Sequence, residues 1–316
     1  MPARFRFFAL LLAVVFSLQG CSVGKILVDK GLQPAHPGDR YAHERAKMER
    51  RVPGITHWMD SLCASGAIRD TFIEYRGARL HAFYAHSPKL SARTAVICHG
   101  YGVNPTNIMM LARVYRDAFG YNVLMPSMRH HGKSGGEAVQ MGWLDRLDAL
   151  KWSEVAHNAF SDTLQVFHGM SMGAASVMMA AGEALPDYVR GIVSDCGFSD
   201  FSEELRHSLK QYLGISRRSG RIISDARSRC LERFGWDIND ASSVKQLAKC
   251  KVPVFFIHGT ADKLVPPKMA LDNYAAKVNG VRELWLAPGS GHSRSYPDHP
   301  LEYAARLRKF LIEHVE

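Results

Sequence analysis

Three side chains that together can perform nucleophilic chemistry follow one another along the chain: Ser171, Asp262 and His292. A serine hydroxyl is a weak nucleophile at neutral pH, so it needs a neighbouring base that takes its proton. The imidazole of His292 can accept that proton and later return one to a leaving group. The carboxylate of Asp262 can hold the imidazole in the required tautomer and stabilise its charged form. These residue types therefore predict covalent catalysis at Ser171.

The serine lies in a Gly-x-Ser-x-Gly motif, Gly169–Gly173. The short apolar segment Leu164–Phe167 before it is typical of a buried strand, and Ala174–Ala181 after it is typical of a buried helix. A Gly-x-Ser-x-Gly turn between a strand and a helix is the setting of a nucleophile elbow, a sharp turn that makes the serine hydroxyl project. The alternative for Ser171 is an ordinary helix N-cap.

The elements that must position these residues alternate between strand-like and helix-like patterns. A hairpin is predicted over Thr71–Tyr75 and Leu80–Tyr84, around Arg76–Ala78. Further strands are predicted over Thr94–Cys98, Tyr121–Met125, Val189–Ser194, Val252–Ile257 and Glu283–Ala287, and helices over Asn107–Phe119, Gly142–Trp152, Pro266–Val278 and Leu301–Glu313. Such alternation indicates an α/β fold, a mostly parallel central sheet with helices on both faces.

From about Thr71 to Glu316 the chain resembles the α/β-hydrolases, whose triads follow in the order serine, acid, histidine. The resemblance implies Ser171 as nucleophile, Asp262 as acid and His292 as base, each on a loop just past a predicted strand. It also implies an oxyanion hole made by the backbone N–H groups of Met172 and Tyr101, and no cofactor.

Several residues have competing interpretations. Asp195 ends a predicted strand and is the rival acid, its other role being a loop or cap hydrogen bond. Asp262 alone fits a turn residue and His292 a loop histidine. Three further histidines precede glycines at predicted strand ends and are interpreted as structural: His99, His168 and His258. The chain has neither metal-ligand spacing nor a glycine-rich phosphate loop.

The run Ser127–Ser134 departs from the Asp-x-Arg-Gly-His-Gly-x-Ser pattern of many α/β-hydrolases. Four residues fit the pattern: Arg129, His131, Gly132 and Ser134. Ser127 stands where the pattern has the acid, and His130 where it has the first glycine. In relatives this segment braces the oxyanion loop, so the departure leaves the subfamily open.

Residues 199–249 interrupt the strand pattern and resemble the helical cap that many α/β-hydrolases insert at this point. Its apolar residues have near-helical spacing, which fits either a substrate-facing surface or packing within the cap. Eight cations lie between positions 206 and 233: Arg206, Lys210, Arg217, Arg218, Arg221, Arg227, Arg229 and Arg233. They predict either an ordinary solvated helix face or a surface for an anionic membrane or substrate.

The N-terminus has the pattern of a targeting segment. Arg4 and Arg6 precede the apolar run Phe7–Leu18, which is short for a membrane span. The Leu18–Cys21 sequence that follows resembles a bacterial lipoprotein signal, in which the cysteine is lipidated. The alternatives are an ordinary cleaved signal peptide and an uncleaved anchor. By this interpretation residues 1–20 are a signal peptide, 21–70 a lipidated tether and lead-in, and 71–316 the hydrolase domain, on the periplasmic side of the outer membrane.

Composition sets broader limits. The chain has 316 residues, 47% hydrophobic and 22% charged, with a formal net charge of +10. It can therefore bury a substantial core. No zinc-finger spacing or Arg/Lys-rich tract predicts nucleic-acid binding. With Cys21 lipidated, five of the six cysteines remain, and the sequence identifies no disulfide pair.

Taken together, the sequence predicts a lipid-anchored serine hydrolase that cleaves carboxylic esters or related acyl compounds through an acyl-enzyme at Ser171. Two alternatives remain open: a serine peptidase of the prolyl-oligopeptidase-like type, and a non-catalytic envelope scaffold with a hydrolase fold. The expected partners are a small acyl ester or peptide substrate and a membrane.

Overall fold

The computed structural model describes residues 23–33 and 40–316. The described residues form two compact units. The larger unit comprises residues 40–199 and 242–316, and the smaller unit comprises residues 23–33 and 200–241. The predicted signal peptide and the predicted lipidation site Cys21 lie outside the described residues.

The larger unit contains an eight-stranded sheet, which confirms the predicted α/β class. Its strands are β1 Ile68–Tyr75, β2 Ala78–Ala85, β3 Arg93–Cys98, β4 Asn122–Pro126, β5 Leu164–Met170, β6 Val189–Asp195, β7 Val254–Gly259 and β8 Arg282–Ala287. The spatial order is β1-β2-β4-β3-β5-β6-β7-β8. β2 is antiparallel to β1 and to β4, and every other neighbouring pair is parallel.

Burial explains the sequence pattern of the strands. Every residue of β5 and β7 is buried, because these strands lie inside the sheet and are covered on both faces. The edge strand β1 instead alternates between half-buried and exposed residues. It joins β2 through Arg76 and Gly77, both of which have positive φ, and this is the backbone that a tight two-residue hairpin turn requires.

The larger unit has nine α-helical segments among its described residues, most of them between consecutive strands. The helices are numbered in chain order, so the helix Val23–Ile26 of the smaller unit is α1. The larger unit then has α2 Tyr41–Arg51, α3 Ile55–Ala64, α4 Met109–Arg113, α5 Asp145–Phe160 and α6 Met172–Ala180. After the smaller unit's α7 Phe201–Leu213 and α8 Ser219–Phe234 come α9 Ser243–Leu247, α10 Pro267–Ala276, α11 Ser295–Asp298 and α12 Pro300–His314.

The larger unit extends N-terminal of residue 71, where the sequence suggested only a lead-in. Met48 of α2 and Ile55 of α3 are fully buried in its core. On α3, Met59 and Leu62 are also buried, and the indole N–H of Trp58 donates a hydrogen bond to Asp117 at 2.6 Å. These two helices are therefore part of the folded unit.

The smaller unit is helical. α7 and α8 enclose a small core of Leu209, Ile222 and Ile223, and Leu205 and Leu213 pack against it. α1 continues as a π-helical turn, Leu27–Gly31, and packs on α8. Within the described part of the chain, none of the helices is long and apolar enough to cross a membrane.

Candidate active site

Ser171 lies in a strained turn between β5 and α6. Its backbone has φ +58° and ψ −119°, a conformation that non-glycine residues rarely adopt. Such strain persists only where the surroundings enforce it. A Cβ on Gly169 would lie 2.2 Å from the carbonyl oxygen of Gly173, so the motif's first glycine is required by close backbone approach. The geometry is that of the predicted elbow.

The structure brings the three candidate triad side chains together. The Nε2 atom of His292 lies 2.8 Å from the Oγ atom of Ser171. On the other side of the ring, Nδ1 lies 2.7 Å from Oδ2 of Asp262. A carboxylate only accepts, so Nδ1 carries the proton and Nε2 is left to accept from the serine. All three residues lie beyond the carboxyl ends of parallel strands β5, β7 and β8, the edge at which open α/β sheets form their sites.

Asp262 is held as an ionised carboxylate. Its side chain is fully buried, which by itself opposes ionisation. Hydrogen bonds outweigh burial: Nε2 of His258 lies 3.4 Å from Oδ2, His292 binds the same oxygen, and the N–H groups of Leu264 and Val265 donate to Oδ1 at 2.9 and 3.0 Å. The imidazoles of His258 and His292 thus hold the pKa of Asp262 well below its usual range.

The segment predicted to supply the oxyanion hole lies beside the nucleophile. A Cβ on Gly100 would lie only 3.2 Å from the Cβ of Ser171, so the Tyr101 backbone adjoins the site. Met172 is the first residue of α6, where a backbone N–H has no partner within the helix. The loop is held by His131, whose Nε2 accepts a hydrogen bond from the Gly102 N–H at 2.9 Å and whose Nδ1 donates to the Arg129 carbonyl.

The predicted structural histidines are buried and hydrogen-bonded. His99 accepts from the Met128 N–H at 3.0 Å and donates to the Gly100 carbonyl at 2.8 Å, which fixes the start of the same loop. Burial lowers the pKa of His99 and of His168 to about 3, so both rings stay neutral. His258 donates to the Val265 carbonyl at 2.9 Å. His258 also reaches the carboxylate of Asp262, a contact that its position in the sequence did not predict.

Asp195, the rival acid, lies at the end of β6 and has a different partner. Its Oδ2 atom accepts a hydrogen bond from the Tyr303 hydroxyl at 3.0 Å, and the ring of His168 lies 3.1 Å from the same hydroxyl. Burial raises the pKa of Asp195 to about 7. The carboxylate that binds His292 is therefore that of Asp262.

The departure at Ser127–Ser134 has a structural explanation. Arg129 forms a bidentate ion pair with Asp148 of α5, at 2.9 and 2.8 Å, so its acidic partner comes from another element. The Ser127 hydroxyl instead lies 2.8 Å from Nδ1 of His81 on β2. The segment is thus tied to its surroundings without the acid at position 127.

The described residues include two groups with three potential metal ligands within 4.8 Å of one another. One combines Cys196 with Asp262 and His292, and the other combines Glu283, Glu313 and His314 near the C-terminus. In the first group, Asp262 and His292 already bind each other. The Cys196 thiol lies 3.5 Å from the Ser293 hydroxyl, and no motif in the sequence predicted that it would lie beside the candidate triad. All five described cysteines are free thiols.

Comparison with known proteins agrees with this architecture. Residues 96–219 match a family model described as the alpha/beta hydrolase fold. An uncharacterized Bacillus subtilis protein, YqkD, is 28% identical over 229 residues, which cover 72% of this chain and 74% of that protein. A Pyrococcus furiosus esterase superposes with a TM-score of 0.64 at 21% identity, over 79% of this chain and 92% of the esterase. A Pyrococcus horikoshii acylaminoacyl peptidase superposes with a TM-score of 0.58 at 16% identity, over 78% of this chain and 41% of the peptidase.

The chain has the α/β-hydrolase fold. The sheet order and the match of residues 96–219 to the family model both support this fold.

Proposed function

We propose that this protein is a serine hydrolase that cleaves carboxylic esters through an acyl-enzyme on Ser171. The observation that carries the proposal is the continuous chain of hydrogen bonds from Ser171 through His292 to Asp262, at 2.8 and 2.7 Å. The esterase among the structural neighbours shares the fold and is consistent with an ester substrate.

Each residue has a defined role in the proposed reaction. His292 takes the hydroxyl proton as Ser171 attacks the ester carbonyl, and the buried carboxylate of Asp262 stabilises the imidazolium. The N–H groups of Met172 and Tyr101 stabilise the tetrahedral oxyanion. His292 then protonates the departing alkoxide, which leaves as the alcohol and yields an acyl-enzyme. Water activated by the same imidazole releases the acid.

The test measures hydrolysis of p-nitrophenyl esters from acetyl to palmitoyl. The chain from Ser22 onward is suitable, because it keeps every described helix and strand. We expect Ser171→Ala to lower kcat by about 10⁴-fold or more, because the nucleophile is removed. Ser224→Ala, at an exposed serine of α8, is the matched control and should keep full activity. Equal turnover by Ser171→Ala would refute the proposal.

The same assay distinguishes the alternatives. A maximum with short acyl chains would indicate a small pocket, and one with long chains a lipase-like site. Aminoacyl p-nitroanilides should be cleaved more slowly than the esters. Ser171-dependent cleavage of these amides in preference to esters would favour a peptidase, the activity named for one structural neighbour. Absence of Ser171-dependent hydrolysis of both the esters and the amides would favour the non-catalytic scaffold.

We also propose that Cys21 is lipidated and anchors the protein in the bacterial envelope. The support is the sequence pattern alone: two arginines, an apolar run of moderate length and the Leu18–Cys21 sequence. Metabolic labelling with radioactive palmitate should mark the wild type and not Cys21→Ala. Equal labelling of both would contradict lipidation at this cysteine.

A further inference from the structure

The structure divides the eight cations of residues 206–233 into two groups. Four of them are neutralised by acidic side chains of the same unit: Arg206 by Glu203, Arg227 by Asp237, and Arg229 and Arg233 by Asp29. Three of these four lie in the C-terminal half of α8. This half of the helix therefore presents little uncompensated charge.

The other four cations have no ion-pair partner within residues 23–33 and 40–316: Lys210, Arg217, Arg218 and Arg221. All four side chains are exposed. Lys210 is in the last turn of α7, Arg217 and Arg218 are in the connection to α8, and Arg221 is in the first turn of α8. The short connection brings these positions to one end of the helix pair, which we call the cationic end. The nearest acidic residue in sequence is Asp225, one turn further along α8.

α1 runs parallel to α8, with its N-terminus toward the cationic end. A Cβ on Gly24 would lie 2.2 Å from the carbonyl oxygen of Ile222 and 2.6 Å from the Ala226 nitrogen, so the two helices are in close contact there. Later in the segment, Asp29 pairs with Arg229 and Arg233 at 2.9 and 2.8 Å. The contacts therefore move toward the C-terminus of both segments together, which shows that the two run parallel.

This direction places Val23, the first described residue, near the cationic end. Val23 packs against the core that Ile222 and Ile223 help to form. Cys21, the proposed lipidation site, precedes Val23 by two residues in the sequence.

We propose that the cationic end of the smaller unit docks on an anionic lipid surface. Uncompensated Lys and Arg side chains bind such surfaces through the negative surface potential, and each strengthens partition by roughly fivefold. An acyl chain at residue 21 and the four cations would engage the same surface and so fix the orientation of the smaller unit. The proposal is independent of the catalytic mechanism, because none of these residues belongs to the triad.

The test compares binding of the chain from Ser22 onward to vesicles of phosphatidylcholine alone and with added phosphatidylglycerol. We expect binding only to the anionic vesicles, and weaker binding as salt rises. The triple variant Arg217→Glu, Arg218→Glu, Arg221→Glu should lose about 100-fold in partition. Glutamates at the start of α8 are compatible with the helix dipole, so the fold should be retained, and circular dichroism checks this.

A matched variant carries the same charge change on the larger unit: Lys89→Glu, Arg190→Glu, Lys251→Glu. These three residues are also exposed cations. We expect it to keep most of the anionic-vesicle binding, and both variants should hydrolyse a water-soluble ester like the wild type. Equal loss of binding in the two variants would overturn the proposal in favour of general attraction by net charge. Unchanged binding by the α8 variant, or equal binding to neutral vesicles, would also overturn it.

Discussion

The acid of the candidate triad is defined by its hydrogen bonds more than by its place in the chain. Asp262 follows β7, Asp195 is the last residue of β6, and both are buried. Burial opposes ionisation of Asp262, but the imidazoles of His258 and His292 lower its pKa, so it remains charged. Two backbone N–H groups also donate to its carboxylate. Asp195 has the hydroxyl of Tyr303 as its hydrogen-bond donor, and burial raises its pKa to about 7. The two carboxyl groups are therefore suited to different roles.

This difference predicts opposite outcomes for two equivalent substitutions. Asp262→Asn should lower kcat for ester hydrolysis by about 10⁴-fold, because the amide favours the wrong imidazole tautomer. Asp195→Asn should keep activity within a few-fold, since the amide oxygen can still accept from the Tyr303 hydroxyl. Steady-state kinetics with p-nitrophenyl acetate measures both. Loss of turnover in Asp195→Asn with activity retained in Asp262→Asn would reverse the assignment.

At the scale of elements, the elbow depends on close packing of α6 against two strands. A Cβ on Gly173 would lie 2.2 Å from the backbone oxygen of Cys98 on β3, and no flexible side chain can relieve that contact. We expect Gly173→Ala to reduce the free energy of unfolding by about 3 kcal/mol. Gly220→Ala is the control, because Gly220 lies in the first turn of α8 with no atom within 4 Å of the added Cβ. Thermal unfolding measures both variants, and equal decreases in the midpoints of Gly173→Ala and Gly220→Ala would contradict this account.

The hydrogen bond between His131 and the loop after β3 predicts a positioning role for His131. Its imidazole accepts from the Gly102 N–H, next to the proposed oxyanion donor of Tyr101. His131→Ala should lower kcat by about tenfold with little change in KM, because a displaced donor affects the transition state more than substrate binding. His131→Gln retains an acceptor and should recover part of the loss. A rise in KM of about tenfold with unchanged kcat would instead indicate a role in substrate binding.

How far the sequence determines these elements depends on how local the cause is. Short, mostly apolar runs locate the inner strands to within a few residues, as for Leu164–Phe167 within β5. The predicted helix over Asn107–Phe119 is instead divided into a 3-10 turn, α4 and a π-helical turn. The pairing of Arg129 with Asp148, and the nearness of Cys196 to the triad, join segments far apart in sequence. A single sequence carries no local signal for such contacts.

At the scale of the whole molecule, the net charge of +10 is an average over unevenly compensated regions. Some exposed cations of the larger unit form ion pairs within a helix, as do Lys268 with Asp272 and Arg306 with Glu302. Such surface pairs contribute little to stability. Buried carboxyl groups have more effect on how stability depends on pH, because their pKa values differ between the folded and unfolded states.

Asp145 and Asp195 should make the protein less stable as pH rises toward neutrality. Burial raises the pKa of Asp145 and of Asp195 to about 7 from an ordinary value of 3.8. The nearby carboxyl group of Asp148 adds to the effect at Asp145. Between about pH 4 and 7 these two groups therefore bind more protons in the folded chain than in the unfolded chain, and their contribution to the unfolding free energy falls with increasing pH. Asp262 has a lowered pKa and acts in the opposite sense, but its contribution is lost only as pH falls below about 4. His99 and His168, whose pKa values burial lowers to about 3 from 6.5, also act in the opposite sense and offset part of the decrease between about pH 3 and 6.5.

The expected result is a thermal midpoint that is higher near pH 5.5 than near pH 8. Asp195→Asn removes one of the two raised carboxyl groups while keeping an acceptor for the Tyr303 hydroxyl, so it should raise the midpoint by a few degrees at pH 8 and by less at pH 5.5. Asp225→Asn, at a carboxyl group on α8 outside the buried core of the larger unit, is the control and should leave the pH dependence unchanged. An equal effect of Asp195→Asn at both pH values would mean that Asp195 is already ionised at pH 5.5 in the folded protein.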